Sequence, residues 1–214
     1  MDIMNYENPV FFDVETSGLD YNVHEITQLA AFAPATGEEL NLYVKFDVSK
    51  ANKEALEVGH YDEKLWKRKA IEQCEACEEF NKFLCGHKSV SRVSKKGKKY
   101  AVSVLAGHNA AKFDMFFIIE AFKKHGVFLP ADFRCYDTMQ LALWGCLDLE
   151  DYTLGGLARH FNLISASRNL HNAAVDVEIN ALVAAYLLRS LRSPLPRWAK
   201  NLIRENIELN NIPF

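Results

Sequence analysis

The sequence predicts an α/β domain with a mixed β-sheet flanked by α-helices. Two observations point there. The first half reads as three strands in a meander, and the second half alternates helices with strands. A third bounds the answer: 214 residues, 49% hydrophobic and 25% charged, make one ordinary globular domain with or without an appended element.

Val10-Phe11-Phe12-Asp13-Val14 is a short apolar run closed by Ser17-Gly18, which reads as a buried strand. Ile26 to Ala33 is a second run, ended by Pro34 and the turn at Thr36-Gly37. Leu40 to Val44 alternates and forms the returning third strand. Ala55 to Arg68 fits neither period. From Ile71 to Leu84, Cys74, Cys77, Phe80, Phe83 and Leu84 recur at helical spacing, with Glu72, Glu75, Glu78 and Glu79 elsewhere, so an amphipathic helix is expected.

Tyr100 to Ala106 is a fourth strand. Ala110 to His125 is expected as a helix, capped by Asn109 and stopped by Gly126. A short strand, Phe133 to Tyr136, precedes a helix from Thr138 to Cys146, and Thr153 to Phe161 is another helix. Asn172 to Arg192 is a long helix that ends at Ser193-Pro194. One domain over residues 1–192 is therefore expected. It carries a basic hairpin insert at 87–99 and is followed by a helical, docked tail at 193–214.

The net charge of −3 argues against a uniformly basic nucleic-acid coat, but the charge is uneven. Six of the 25 basic residues lie between Lys88 and Lys99, a stretch with no acid, so the other 19 face all 28 acidic residues. The stretch reads as a hairpin with a Gly97 turn. Charge runs are usually solvated loops; here Lys95, Lys96, Lys98 and Lys99 are also candidates for a phosphate-tracking arm beside an active site.

Five cysteines, Cys74, Cys77, Cys85, Cys135 and Cys146, show no disulfide framework. Cys74-x-x-Cys77 with Cys85-Gly86-His87 could suggest zinc, but the first two lie on the apolar face of a helix, where free cysteine packs normally. The N-terminus lacks a signal peptide's basic start and apolar run, and no apolar run spans a membrane. A soluble cytoplasmic protein is the expectation.

Asp13 and Glu15, two apart on a strand, share a face. Neighbouring acids flanked by Phe11, Phe12 and Val14 repel each other unless a cation holds them, although a lone Asp-x-Glu is more often a solvated pair. Asp114 stands among Phe113, Met115, Phe116 and Phe117, a costly setting for an acid. His171 and Asp176 are the third element. On one helix they would lie roughly 140° apart, so His171 must sit in the loop if both serve one site. Each carboxylate falls at a strand end or a helix start, locations that cluster at one side of an α/β sheet. Four acids are balanced by two divalent cations. Oxygen ligands favour Mg²⁺ or Mn²⁺ over zinc, and a histidine can take a proton from water near neutral pH. Metal-assisted phosphodiester hydrolysis uses all five residues.

Phe12-Asp13-Val14-Glu15-Thr16-Ser17-Gly18-Leu19, Gly107-His108-Asn109-Ala110-Ala111-Lys112-Phe113-Asp114 and His171-Asn172-Ala173-Ala174-Val175-Asp176 resemble, in order, the three motifs of the DEDDh 3′–5′ exonucleases. That superfamily includes polymerase proofreading subunits and RNase T. Glu25-Ile26, Tyr136-Asp137-Thr138, Thr153-Leu154 and Leu157-Ala158 agree with it. Two departures are a longer spacing between His108 and Asp114 and Ser17 where threonine is commoner.

The resemblance implies an RNase H-like fold and two Mg²⁺ ions, with Mn²⁺ as a substitute. Asp13 would bridge both ions, Glu15 and Asp176 would complete the tighter one, and Asp114 would act through water. His171 would be the general base. Thr16 and Leu19 would touch the terminal nucleotide, Asn109 is a further candidate substrate contact, and the products would be 5′-mononucleotides. Single-stranded DNA is the favoured partner. An exoribonuclease of the RNase T kind, a non-catalytic nucleic-acid-binding module and a polymerase-associated subunit are the alternatives.

Overall fold

In a computed structural model, residues 8–145, 148–164, 172–191 and 197–210 are described. Three antiparallel strands open the chain: β1 (Val10–Thr16), β2 (Ile26–Ala33) and β3 (Glu38–Tyr43). A 3-10 turn (Val48–Lys50) and two short helices follow, α1 (Lys53–Val58) and α2 (Glu63–Lys69). These helices occupy the stretch whose periodicity was undecided. The side chains of Asn52 and Asp62 cap them, accepting from the N–H groups of Glu54 and Leu65.

Next come α3 (Gln73–Gly86), β4 (Val90–Val93), β5 (Lys99–Gly107), α4 (Asp114–His125) and β6 (Ala131–Asp137). Four helices complete the chain: α5 (Thr138–Gly145), α6 (Leu154–His160), α7 (Ala173–Leu191) and α8 (Arg197–Asn210). The six-stranded sheet runs β3-β2-β1-β5-β4, with β6 also on β5. β1 and β6 are parallel to β5, whereas β4 is antiparallel to it, so the sheet is mixed.

The alternation of β1 sorts the core into two layers. Val10, Phe12 and Val14 pack with Phe80, Leu84, Ile118 and Phe122 of α3 and α4. Phe11 faces the other side, where Val177, Ala181, Ala184 and Ala185 of α7 meet Trp198, Ala199 and Ile203 of α8. The rings of Phe11 and Trp198 lie edge to face at 5.7 Å. Asp13 and Glu15 continue the Phe11 register, so they point toward α7. Cys77 belongs to the α3 core, where burial pushes its thiol up to about 12. No described helix is long and apolar enough to cross a membrane.

Two expectations need correction. The helix expected from Ala110 begins four residues later, at Asp114. Asn109 is not its cap: it holds a left-handed conformation (φ 58°), and its N–H donates to Asp137 Oδ1 at 3.1 Å. Asp137 also draws the Ala111 N–H at 3.3 Å, keeping residues 109–113 in turns.

The basic hairpin is also not beside the sheet end that carries Asp13. Its turn, with Gly97 at φ 78°, leads into the start of β5, and Gly107 at the far end of β5 lies next to Phe12. Eight strand steps put Lys99 about 26 Å from Gly107. Nearness in sequence to Asp114 did not mean nearness in space, because β5 runs away from the hairpin.

Candidate active site

Asp13, Glu15 and Asp176 converge: one carboxylate oxygen from each lies within 4.8 Å of the others. Two come from neighbouring same-face positions of β1. The third comes from the first turn of α7, which begins beside Asn172, whose Oδ1 accepts the Ala174 N–H at 3.1 Å. Asp114 approaches from α4. Its Oδ1 accepts the N–H of Val14, the residue between Asp13 and Glu15, at 3.1 Å.

Burial and mutual repulsion dominate the electrostatics. Asp13 is held well above the ordinary carboxylate range, first by desolvation and then by Asp114, Glu15 and Asp176. Glu15 is pushed up to about 7 by desolvation, then by Asp176 and Asp114. Asp114 rises to about 6 because it is buried, although the Val14 N–H favours its anion. Carboxyls raised in this way, Asp13, Glu15 and Asp114, give up their protons more readily once positive charge is placed among them. An all-carboxylate set of this compactness fits a hard divalent cation. Among the described residues it is the one such cluster of potential metal ligands.

Glu15 is closely covered. A Cβ on Gly59, at the end of α1, would stand 3.3 Å from Glu15 Oε2. Glycine here leaves room for the carboxylate. The Thr16 hydroxyl donates to the Gly18 carbonyl at 2.7 Å, tightening the turn after β1. Leu19, at the tip of that turn, is 79% exposed. His171 lies outside the described residues.

Sequence reasoning gave no role to Asp137, Thr138, His108 or Asn180, although the first three stand in stretches that carried the resemblance. Asp137 grips the loop before α4 and also caps α5 through the Met139 and Gln140 N–H groups. Its capping position before a helix was the available signal. The buried Thr138 hydroxyl donates to Asn180 Oδ1 at 2.6 Å, and His108 Nδ1 lies 3.0 Å from the same hydroxyl. Burial lowers the pKa of His108. Asn180 stands one turn after Asp176 on α7, so this network backs the carboxylate site.

No family model matches the chain. It is 28% identical over 182 residues to the PolC-type DNA polymerase III of Listeria welshimeri, spanning 85% of this chain and 11% of the polymerase. The match to that of Listeria monocytogenes is 28% over 204 residues, or 95% of this chain and 12% of the polymerase. Among solved structures, Escherichia coli Exonuclease I in complex with a dA16 oligonucleotide superposes with a TM-score of 0.64 at 18% identity. That match covers 94% of this chain and 45% of the other. The chain therefore shares the fold of Escherichia coli Exonuclease I. A second Exonuclease I complex, with dT13, gives 0.65 at 19% identity over 87% of this chain and 42% of that one. The chain thus spans a tenth of the polymerases and under half of the exonucleases whose fold it shares.

Proposed function

We propose that this chain is a metal-dependent 3′–5′ exonuclease that shortens single-stranded DNA and releases 5′-mononucleotides. The observation that carries the reading is the convergence of Asp13, Glu15 and Asp176 within 4.8 Å on an exonuclease fold, with Asp114 tied to the same strand. The oligonucleotides in the Exonuclease I complexes, dA16 and dT13, support a single-stranded DNA substrate.

Asp13, Glu15 and Asp176 hold divalent metal, with Mg²⁺ as the resident ion and Mn²⁺ as a substitute; a zinc-bound form of Escherichia coli Exonuclease I with single-stranded DNA is also known. When bound, such ions polarise the scissile phosphate and acidify the attacking water. Asp114, fixed by the Val14 N–H, orients water toward the same centre. His171 precedes the residue that caps α7 and takes the proton from the attacking water. Leu19 packs against the terminal base, the Thr16 turn shapes the pocket for the last sugar, and Asn109 lines its approach.

The test compares 5′-labelled single-stranded DNA, a duplex with a 3′ overhang and single-stranded RNA, each with Mg²⁺ and with EDTA. Stepwise shortening of the single-stranded DNA, lost in EDTA and in Asp13→Ala, is expected. Cleavage that survives either change refutes the proposal, and faster digestion of RNA moves the substrate class to RNA.

A further inference from the structure

The hairpin lysines lie at the far end of the sheet from the carboxylates, yet they are not an isolated charge run. Lys95, Lys96, Lys98 and Lys99 are all exposed around the Gly97 turn, and among the described residues none of them makes an ion pair. The turn itself is rigid: Gly97 N–H donates to the Ser94 carbonyl at 2.9 Å, and Lys98 N–H to Ser94 Oγ at 3.0 Å. The hairpin is also pinned to the sheet. Arg92 of β4 pairs with the fully buried carboxylate of Asp132 on β6, which also accepts from the Arg134 backbone N–H. Four cations are thereby held out on an ordered arm, which lowers the entropy lost when they meet a ligand.

Aromatic surface lies beside them. Tyr100 stands opposite Arg92 in the β4–β5 ladder and is 42% exposed. Phe133, on β6, is 84% exposed, and the Arg134 guanidinium lies 5.4 Å from its ring centre. Exposed rings together with the exposed hairpin lysines are the elements of a single-strand binding surface: cations follow phosphates and rings stack on bases without reading sequence.

Strand β6 links this corner to the site. It pairs only with β5 among the described strands, and it runs parallel to β5 from Ala131, beside the hairpin, to Asp137, which holds the loop leading to Asp114. Six steps cover about 20 Å, and Phe133, Arg134 and Tyr136 are exposed along it.

We infer that the hairpin and the β6 edge form a second, remote contact for single-stranded nucleic acid, engaging the strand upstream of the end held by the carboxylates. The inference rests on the exonuclease reading for which end lies where. The contact itself is read by binding, without catalysis.

The experiment measures fluorescence-anisotropy affinities of the full chain for oligothymidylates of about 20 and about 4 nucleotides in EDTA across a salt series; the shorter is at the low end of single-strand site sizes. The wild-type protein is expected to prefer the longer strand. Replacing Lys95, Lys96, Lys98 and Lys99 together by serine should lower the salt slope for the longer strand by about 3, at about 0.7 per phosphate neutralised. It should also collapse the long-to-short affinity ratio. Phe133→Ala should lower that ratio roughly tenfold, the loss of one stacked base. An unchanged slope and ratio in the lysine variant would overturn the inference. Equal capture of a polyglutamate of the same length would also overturn it, because the surface would then be a general acidic-partner site. Binding that follows the inference in a protein that shortens no 3′ end would leave this site standing and remove the catalytic proposal instead.

Discussion

The side chain of Asp114 accepts a backbone hydrogen bond from Val14 at 3.1 Å, across 100 residues of chain. The contact ties the first turn of α4 to the strand segment between Asp13 and Glu15. It favours the Asp114 anion, while burial opposes it and raises the pKa to about 6. Under the proposed function, structural and chemical roles therefore meet in one carboxylate. Asp114→Asn keeps an acceptor of the same size and removes one like charge. Its thermal midpoint should equal or exceed that of the wild type without metal, whereas turnover should fall by about two orders of magnitude or more, because an amide cannot replace the anion at a metal site. Asp114→Ala should lose a further roughly 1.5–3 kcal/mol of stability, the worth of a hydrogen bond to a charged group. Thermal melts of the two variants beside single-turnover assays separate these roles.

Glu15 carries a pH signature. Its pKa is pushed from 4.5 to about 7, with burial as the first cause and Asp176 as the second. A carboxyl raised in the folded state stabilises the fold fully below its unfolded pKa, and that contribution is lost as pH rises through the folded value. Metal-free protein should therefore lose stability between about pH 4.5 and 7 through this group. Mg²⁺ should restore it at pH 8, where the carboxylate is ionised and the cation offsets the repulsion. Glu15→Gln should flatten this segment and weaken the response to Mg²⁺. The measurement is the difference in thermal midpoint between wild type and variant at several pH values, with and without Mg²⁺. A pH-independent difference would show that Glu15 ionises freely in the fold.

Much of this fold could be read from residue period. Val10–Val14 and Ile26–Ala33 are apolar runs of strand length, and their alternation correctly put Asp13 and Glu15 on one face. The mixed sheet with flanking helices follows the same reading. What failed depended on contacts between distant segments. Asn109 has the composition of a cap, but Asp137, 28 residues away, draws its N–H and delays α4 until Asp114. Helices α1 and α2 are too short for periodicity to show, although Asn52 and Asp62 marked their starts. The lysine hairpin was placed by sequence distance, whereas strand direction carries it the other way. His171, the remaining member of the third motif, lies outside the described residues.

Gly59 should set how tightly metal is held. Its φ of −77° is open to any residue, so alanine adds no backbone strain. The added methyl, however, would stand 3.3 Å from Glu15 Oε2 and 3.4 Å from the Ala55 carbonyl. The flexible carboxylate yields before the backbone. Gly59→Ala should raise the Mg²⁺ concentration needed for half-maximal activity several-fold, by moving one ligand a few tenths of an ångström, while the thermal midpoint stays within a few degrees. A Mg²⁺ titration of activity reads the shift. An unchanged midpoint concentration would mean that Glu15 has room to turn aside without leaving the metal.

Behind the carboxylates, Thr138 joins the end of β6 to α7. Its hydroxyl donates to Asn180 Oδ1 at 2.6 Å, in a setting where both residues are buried. Thr138→Val is nearly isosteric, so the volume of the buried site is kept, and the buried carbonyl of Asn180 loses its donor. Such a loss costs about 1–3 kcal/mol. The variant's urea midpoint should fall accordingly with an unchanged slope, while Thr138→Ser, which keeps the hydroxyl, should lie between it and the wild type. Because Asn180 is one helical turn from Asp176, the valine variant should also need more Mg²⁺ for half-maximal activity, and the serine variant should recover most of that. Stability lost without a change in Mg²⁺ requirement would assign the bond to folding alone. A raised requirement rescued by serine would make Thr138 a positioning residue for Asp176, acting through α7 rather than on the substrate.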